Sequence, residues 1–367
     1  MPRQLHRQCA RMFMVGFPGR SVDEGLRQLL GEGIFGAVSF SRNIGEPREL
    51  AELCREIKRR SPGKIILAVD QEGGRVARLR GEPFTALPPM RQLGLLGDAA
   101  LAERCGRLLA LELRAVGFDW DFAPVLDVDT NPKNPVIGDR ALHRDASEVA
   151  RLGIALARGL ESGGVASCAK HFPGHGDTSQ DSHLTLPRLP HDFERLRSVE
   201  LVPFRAYASA GLAAVMTAHV LFEAVEPDVP ATMSRRVLDD VLRGELSFRG
   251  VIVSDALEMK AIADYFPLEE AVARGALAGV DLFLVCDNAD TQHRAIEALI
   301  QAVESGRVPR QRIEQSNLRL EALADRFAHP GEDLLASLGG AEHQALAKDL
   351  ASTSSGWDPT ERSKVEG

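Results

Sequence analysis

The sequence predicts a single (β/α)8 barrel, an α/β fold carrying extra helices near its C-terminal end, and three observations lead there. Eight short runs rich in Val, Ile, Leu and Phe alternate with longer amphipathic stretches, the pattern of repeated βα units around a parallel sheet. The chain has 367 residues and 44% hydrophobic content, enough for one large core and for a barrel of about 250 residues with loop insertions. Ionisable residues also recur where five of the runs end, and that is where barrel enzymes place their chemistry.

In chain order the runs fall at Met12–Val15, Ala37–Ser39, Ile65–Val69, Asp119–Phe122, Val165–Ala169, Ala213–Thr217, Val251–Ser254 and Leu282–Val285. They are short, as buried parallel strands tend to be. Helical spacing of apolar residues predicts helices over Ser21–Gly31, Glu46–Arg60, Ala99–Val116, Ser147–Glu161, Arg195–Ala210, Ser234–Arg243 and Leu268–Ala278. Ser21, Ser147 and Ser234 are the expected N-caps. Two further helices, Ala289–Ser305 and Arg310–Ala328, follow the last run. Alternation alone also admits a doubly wound open sheet. Asp70, Asp127, Lys170 with His171, His219 and Asp255 at the run ends favour the barrel. Residues 1–350 are expected to form one catalytic domain and the polar stretch 351–367 a disordered tail.

The formal net charge is -8, with Lys and Arg dispersed along the chain. No concentrated basic face offers itself to nucleic acid or an anionic membrane, so a small-molecule partner is expected. Five cysteines, an odd number without a C-x-x-C pair, read as reduced structural thiols, and neither a cofactor nor a metal is implied. The apolar stretch near the start is broken by Gly16 and Pro18, and no run of about 20 apolar residues appears. A cytoplasmic monomer is the resulting expectation.

The densest chemical signal is KHFPGHGDTSQDSHLTLP, from Lys170 to Pro187. Asp181 and His183 are two apart, so an extended backbone would project them to the same side, where the carboxylate fixes the imidazole tautomer. A histidine so held can give a proton to a leaving oxygen and later take one from water. Asp255, at the end of the seventh run, supplies a carboxylate suited to attack on an anomeric carbon. Gly174 and Gly176 offer backbone freedom that would let His183 swing over bound sugar.

Plainer readings accompany these. His171, His175, Asp181 and His183 could be metal ligands, although their spacing fits no zinc signature. Asp127 and Asp129 could simply anchor a long loop. His175 could bond loop backbone, and His219 is either a mouth residue or a satisfied core histidine. Asp119 and Asp121 receive no role. The glycine pair of DQEGGRV lacks the pattern of a phosphate loop.

Five segments, DQEGGRVARLR, NPKNPVIGDR, KHFPGHGDT, DSH and SDALEM, together resemble glycoside hydrolase family 3, and in particular its bacterial β-N-acetylglucosaminidases. The resemblance implies a retaining enzyme that removes terminal N-acetylglucosamine from peptidoglycan-derived fragments during wall recycling. It implies Asp255 as nucleophile, His183 with Asp181 as acid/base dyad, and Asp70, Arg78, Arg140, Lys170 and His171 as sugar-binding positions. Two alternatives accompany it. One is a phosphorylase, since a histidine base repels an anionic acceptor less than a carboxylate would. The other is a non-catalytic sugar-binding barrel, since fold alone never establishes turnover.

Overall fold

Eight parallel strands form the sheet: β1 Phe13–Val15, β2 Gly36–Ser39, β3 Ile66–Val69, β4 Trp120–Asp121, β5 Cys168–Phe172, β6 Ala214–Thr217, β7 Val251–Ala256 and β8 Leu282–Val285. The structure, a computed structural model, describes residues 2–331 and 334–352. Strand order runs β4-β3-β2-β1-β8-β7-β6-β5. Isolated parallel bridges from Trp120 to Ala166 and from Val125 to Lys170 join the two remaining edges. The sheet is therefore a barrel with helices around it, as the alternation predicts, and the open-sheet reading is discarded.

The strands are short because both faces are covered. Phe13–Val15, Ile66–Val69 and Leu282–Val285 are buried at every residue. Edge-on aromatic contacts tie strands to neighbours, Trp120 to Phe35 ahead of β2 at 6.5 Å and Phe172 to the helical Phe204 at 5.1 Å, each worth about 1 kcal/mol beyond its buried area. All five cysteines are free and buried. Burial pushes the thiols of Cys9, Cys54 and Cys105 up to about 12.

Several local expectations are corrected. The fifth strand is Cys168–Phe172 rather than Val165–Ala169, because Lys170 and His171 find buried partners and need not end it. The stretch expected as one helix over Arg195–Ala210 is two, Phe193–Ser198 and Leu201–Ser209. Pro203 has no N–H to offer the turn before it and fits only a fresh first turn. Asp23 and Asp145, not Ser21 and Ser147, cap their helices, accepting from Leu26 N at 2.9 Å and from Ser147 N at 2.8 Å. Ser234 does cap, its Oγ accepting from Val237 N at 3.2 Å, but the helix it opens, Arg236–Glu245, is wound as a π-helix. Helices Pro2–Ala10 and Met90–Leu96 have no counterpart in the sequence reading. Of the expected polar tail, Ala351 and Ser352 end the helix Ala341–Ser352, and 353–367 lie outside the described residues.

The amino ends of the strands carry ion clusters that serve the scaffold. Asp119, before β4, pairs with Lys58 at 2.7 Å and accepts the N–H groups of Leu67 and His329. Asp281, before β8, is fully buried and holds Arg243, Arg312 and Arg319, with Ser316 Oγ at 2.9 Å and Ile252 N at 3.0 Å. Breaking such a buried set costs several kcal/mol, about 3 to 5. The opposite end of the barrel is left free for other work.

No helix of the described residues is long and apolar enough to cross a membrane.

Candidate active site

Two of the eight strands depart from regular register, and both do so at their carboxyl ends. On β7, Val253 pairs with Leu282 but Ala256 with Leu284, so three steps on one strand face two on the next. On β5, Ala169 pairs with Val215 and Phe172 with Thr217, again three against two. An extra residue of this kind bends a strand and re-aims its side chains. Its effect on β5 is specific. Lys170 and His171 are neighbours that a regular strand would send to opposite faces, yet both line the same cavity.

That cavity, of about 470 Å³, lies at the carboxyl end of the barrel and is lined by Asp70, Arg78, Arg140, Lys170, His171, His183 and Asp255. Seven of the eight residues singled out from sequence therefore meet in one place. The eighth, Asp181, stands behind His183. Asp255 ends β7, its Oδ1 accepting the N–H of Ala256 at 2.8 Å. Burial alone would raise its pKa, but His219, His171, the Ala256 N–H and His183 outweigh it and hold the carboxyl below its usual value. It is thus an ionised carboxylate facing the cavity.

The polar groups of the β3 to β5 side form a network centred on a residue the sequence reading passed over. Glu72 accepts Arg140 through both oxygens, Nε and Nη2 each at 2.8 Å, and also Lys170 Nζ at 2.6 Å. Burial opposes its charge, but Arg140 and Lys170 prevail and lower its pKa. Lys170 Nζ also reaches Asp70 Oδ1 at 2.8 Å. Burial of this ammonium is overcome by Asp70 and Glu72, which raise its pKa. Arg140 gives its remaining Nη1 to Val136 O at 3.2 Å. Each of the three Arg140 nitrogens thereby has a partner within the protein. Arg78 differs: Nη2 lies 3.5 Å from Asp70 Oδ2, while Nε and Nη1 are buried without a partner. A hairpin, Gln71–Gly73 with Val76–Ala77, brings Arg78 back over the mouth, and Gln71 Oε1 accepts its N–H at 2.8 Å.

His171 is locked by Asp127, which the sequence left as a loop anchor. Nδ1 lies 2.6 Å from Asp127 Oδ2, and the same carboxylate accepts the backbone N–H of His175 at 2.6 Å. Against burial, His171 and then His175 hold the Asp127 carboxyl below its usual value. His175 bonds Thr178 Oγ1 at 2.7 Å and Ser182 Oγ at 3.1 Å. Burial takes its pKa down to about 4, so the ring is neutral near pH 7. His219 is satisfied by Thr232 Oγ1 at 2.8 Å and Ala256 O at 3.0 Å, beside the strand end that bears Asp255.

Asp181 and His183 do pair, but not through extended backbone. Asp181 Oδ1 accepts both the backbone N–H of His183 at 2.9 Å and its Nδ1 at 2.8 Å, and Asp181 O accepts from Leu184 and Thr185. The segment is a tight turn capped by its own aspartate, a habit of Asp that competes with extended structure. With Nδ1 facing a carboxylate, the proton sits there and Nε2 is the exchanging end. The preceding glycines serve close approach rather than freedom. A Cβ on Gly176 would lie 1.9 Å from Val128 O, and Gly174 holds a φ of +148° against Glu200. Asn134 Nδ2 clamps His175 O and Gly176 O at 2.8 and 3.0 Å. Past that clamp, Ser182 O accepts from Ala261 N at 3.2 Å and Thr185 bonds Tyr265 at 3.0 Å. The loop thereby docks on the segment that follows Asp255.

Among the described residues no three His, Cys, Asp or Glu side chains are grouped to hold a metal ion. Chemically, the cavity offers an ionised carboxylate, a carboxylate-backed imidazole and unspent guanidinium donors. Glu72 and Asp127 could be suspected from sequence only by their closeness to Asp70 and by their acidity beside a run end. Nothing local reveals which cations fold back onto them.

Comparison with known proteins places the chain among relatives of the same fold. The sequence profile described as Glycosyl hydrolase family 3 N terminal domain matches residues 4–323. The chain is 40% identical over 346 residues to a Beta-hexosaminidase of Chromobacterium violaceum, covering 92% of this chain and 94% of that protein. A Beta-hexosaminidase of Neisseria meningitidis serogroup C is 43% identical over 278 residues, covering 74% and 76%. Among solved structures, a glycoside hydrolase family 3 beta-N-acetylglucosaminidase from Paenibacillus sp. str. FPU-7 superposes with a TM-score of 0.89 at 40% identity, covering 95% of this chain and 68% of that one. NagZ from Neisseria gonorrhoeae, in complex with N-trifluoroacetyl-D-glucosamine, superposes with a TM-score of 0.80 at 35% identity, covering 94% and 98%.

Proposed function

This chain belongs to glycosyl hydrolase family 3, and we propose that it is a retaining exo-β-N-acetylglucosaminidase that releases non-reducing terminal N-acetylglucosamine from peptidoglycan-derived fragments. That it is a β-N-acetylhexosaminidase follows from its relatives' identity over most of both chains. The observation that carries the mechanism is a single cavity lined by both an ionised strand-end carboxylate, Asp255, and an imidazole backed by a second carboxylate, His183 with Asp181.

In the first step Asp255 attacks the anomeric carbon as the glycosidic bond breaks, and protonated His183 delivers the Nε2 proton to the leaving oxygen. Asp181 stabilises the imidazolium before transfer. In the second step neutral His183 takes a proton from water, whose oxygen displaces Asp255 and restores the carboxylate. Two inversions give retention. Arg78 offers its unpaired donors to ring hydroxyls, with Asp70 and His171 beside it, while Lys170 and Arg140 hold the acidic side chains in place. Residues 1–350 form the catalytic unit, acting as a monomer in the cytoplasm during wall recycling on disaccharides ending in 1,6-anhydro-N-acetylmuramic acid.

An aryl β-N-acetylglucosaminide tests the core claim. Wild type is expected to release the chromophore with retention, Asp255→Ala to lose at least about 10³-fold in kcat, and a 2-fluoro glycosyl inhibitor to label Asp255. Label on another residue overturns the nucleophile, and an inactive wild type supports the sugar-binding alternative. Products formed with and without phosphate separate hydrolysis from phosphorolysis. Cleavage of the anhydro disaccharide tests the substrate.

A further inference from the structure

The two sides of the cavity differ in chemistry. From β3 to β5 come the charged groups of the Glu72 network. From β7, β8 and the turn after β2 come Ala256, Met259, Leu284, Cys286 and Phe40. One carboxyl interrupts that apolar wall. Glu258 lies three residues past Asp255, and its Oε1 accepts the N–H of Cys286 at 2.6 Å. Its Oε2 is shielded from solvent and has no hydrogen-bond partner.

The nearest basic side chain of this wall, Arg42, does not answer it. Arg42 donates Nε to Phe17 O at 3.0 Å and Nη2 to Cys286 O at 3.2 Å, and lies over the Phe40 ring at 4.6 Å. Burial, with Asp287 nearby, pushes the Glu258 carboxyl up to about 7, against the backbone N–H and the thiol of Cys286, which both bond it. Its uncharged form therefore persists into the neutral range and carries an O–H. A buried polar atom without a partner costs about 1 to 3 kcal/mol, and a small turn of the Glu258 side chain towards the cavity it lines lets a ligand supply the partner.

The following step rests on the reading of this site as a binder of N-acetylglucosamine. Of that sugar's substituents, hydroxyls match the charged side of the cavity. The acetamido group alone joins a methyl to one strongly polar amide, and it sits on the carbon next to the one Asp255 attacks. A largely apolar wall whose one carboxyl besides Asp255 is Glu258, in the turn after β7, has the matching character.

We propose that Glu258 is a specificity-determining residue, hydrogen-bonding through Oε2 to the carbonyl of the sugar's 2-acetamido group while Met259 and Cys286 flank the methyl. Glucose, which bears a hydroxyl at that carbon, gains nothing from this contact.

The test is binding of N-acetylglucosamine and of glucose by calorimetry to wild type, Glu258→Gln and Glu258→Leu, with turnover of the matching aryl glycosides read alongside. Glu258→Leu is expected to weaken N-acetylglucosamine about tenfold and to leave glucose within about twofold, the size of one hydrogen bond. Glu258→Gln, whose amide N–H replaces the O–H and whose oxygen still accepts from Cys286, is expected to stay near wild type. Equal weakening of both sugars by Glu258→Leu assigns the residue to holding the β8 end and overturns the proposal, as does no weakening of either. If wild type binds N-acetylglucosamine without turning over its aryl glycoside, the hydrolase reading fails while the binding ratio still judges Glu258. Wild type that binds neither sugar overturns both.

Discussion

Two Asp–His pairs face the same cavity and differ chiefly in burial. Asp127 and His171 are buried, with side-chain exposures of 0% and 8% at a separation of 2.6 Å. Asp181 and His183 are exposed by 24% and 42% at 2.8 Å. The first pair is welded into the scaffold, because Asp127 also accepts backbone N–H groups of His171 and His175. The second hangs on one self-capped turn. The same two side chains can therefore serve opposite needs. In the function proposed above, the buried pair holds its ring still for recognition, whereas the exposed one lets its ring trade protons with leaving group and water.

Substitutions can break that contrast directly. His183→Ala is expected to lower kcat by about 10³-fold on a substrate with a poor leaving group and far less on an activated aryl glycoside, since general acid help matters least there. His171→Ala is expected to act mainly on KM. Steady-state kinetics on both substrates reads the split, and a leaving-group dependence at position 171 would erase the distinction.

Stability separates the pairs next. Asp127→Asn leaves a buried network short of its charge and is expected to cost about 3 kcal/mol. Asp181→Asn, at an exposed pair, is expected to cost less than about 1 kcal/mol. Urea unfolding followed by tryptophan fluorescence measures both, and equal costs would show that burial is not what distinguishes them.

A further effect is one of pH, and it develops only under acid. His175 has a native value of about 4 against an ordinary 6.5, so between those values the unfolded chain binds more protons than the native one. Stability is complete above pH 6.5 and declines as pH falls towards 4, by up to about 3 kcal/mol. His175→Asn is expected to remove that portion of the decline. A slope unchanged by the substitution would mean that the buried pair's surroundings do not couple to acid.

Much of this site was legible because it is written in local pattern. The apolar runs, Asp255 at a run's end and the spacing of Asp181 and His183 all survive in the structure. What escaped depends on partners distant in the chain. Lys170 looked like the end of a strand until Asp70 and Glu72, about 100 residues earlier, neutralised it inside one. Glu72 is acidic like many surface residues, and its importance comes from Arg140 and Lys170 folding onto it. Asp127 resembled an anchor and is one, but what it anchors is a ring in the cavity. The glycines of the fifth-strand loop show the reverse error, since residues that suggest freedom are packed against Val128 and Glu200. Period and composition describe an element well. They do not say which backbone presses against it.

The Asp281 cluster sets a limit on how short this protein can be made. Two of its three guanidiniums, Arg312 and Arg319, come from the helix Arg310–Phe327, which begins some 25 residues after the barrel's last strand is complete. A truncation placed just past β8 would keep every strand and every cavity-lining residue, yet it would strand a carboxylate beneath the barrel with most of its counter-charge gone. The shortest chain that folds should therefore end beyond Arg319, a boundary drawn by electrostatics at the closed end rather than by chemistry at the open one.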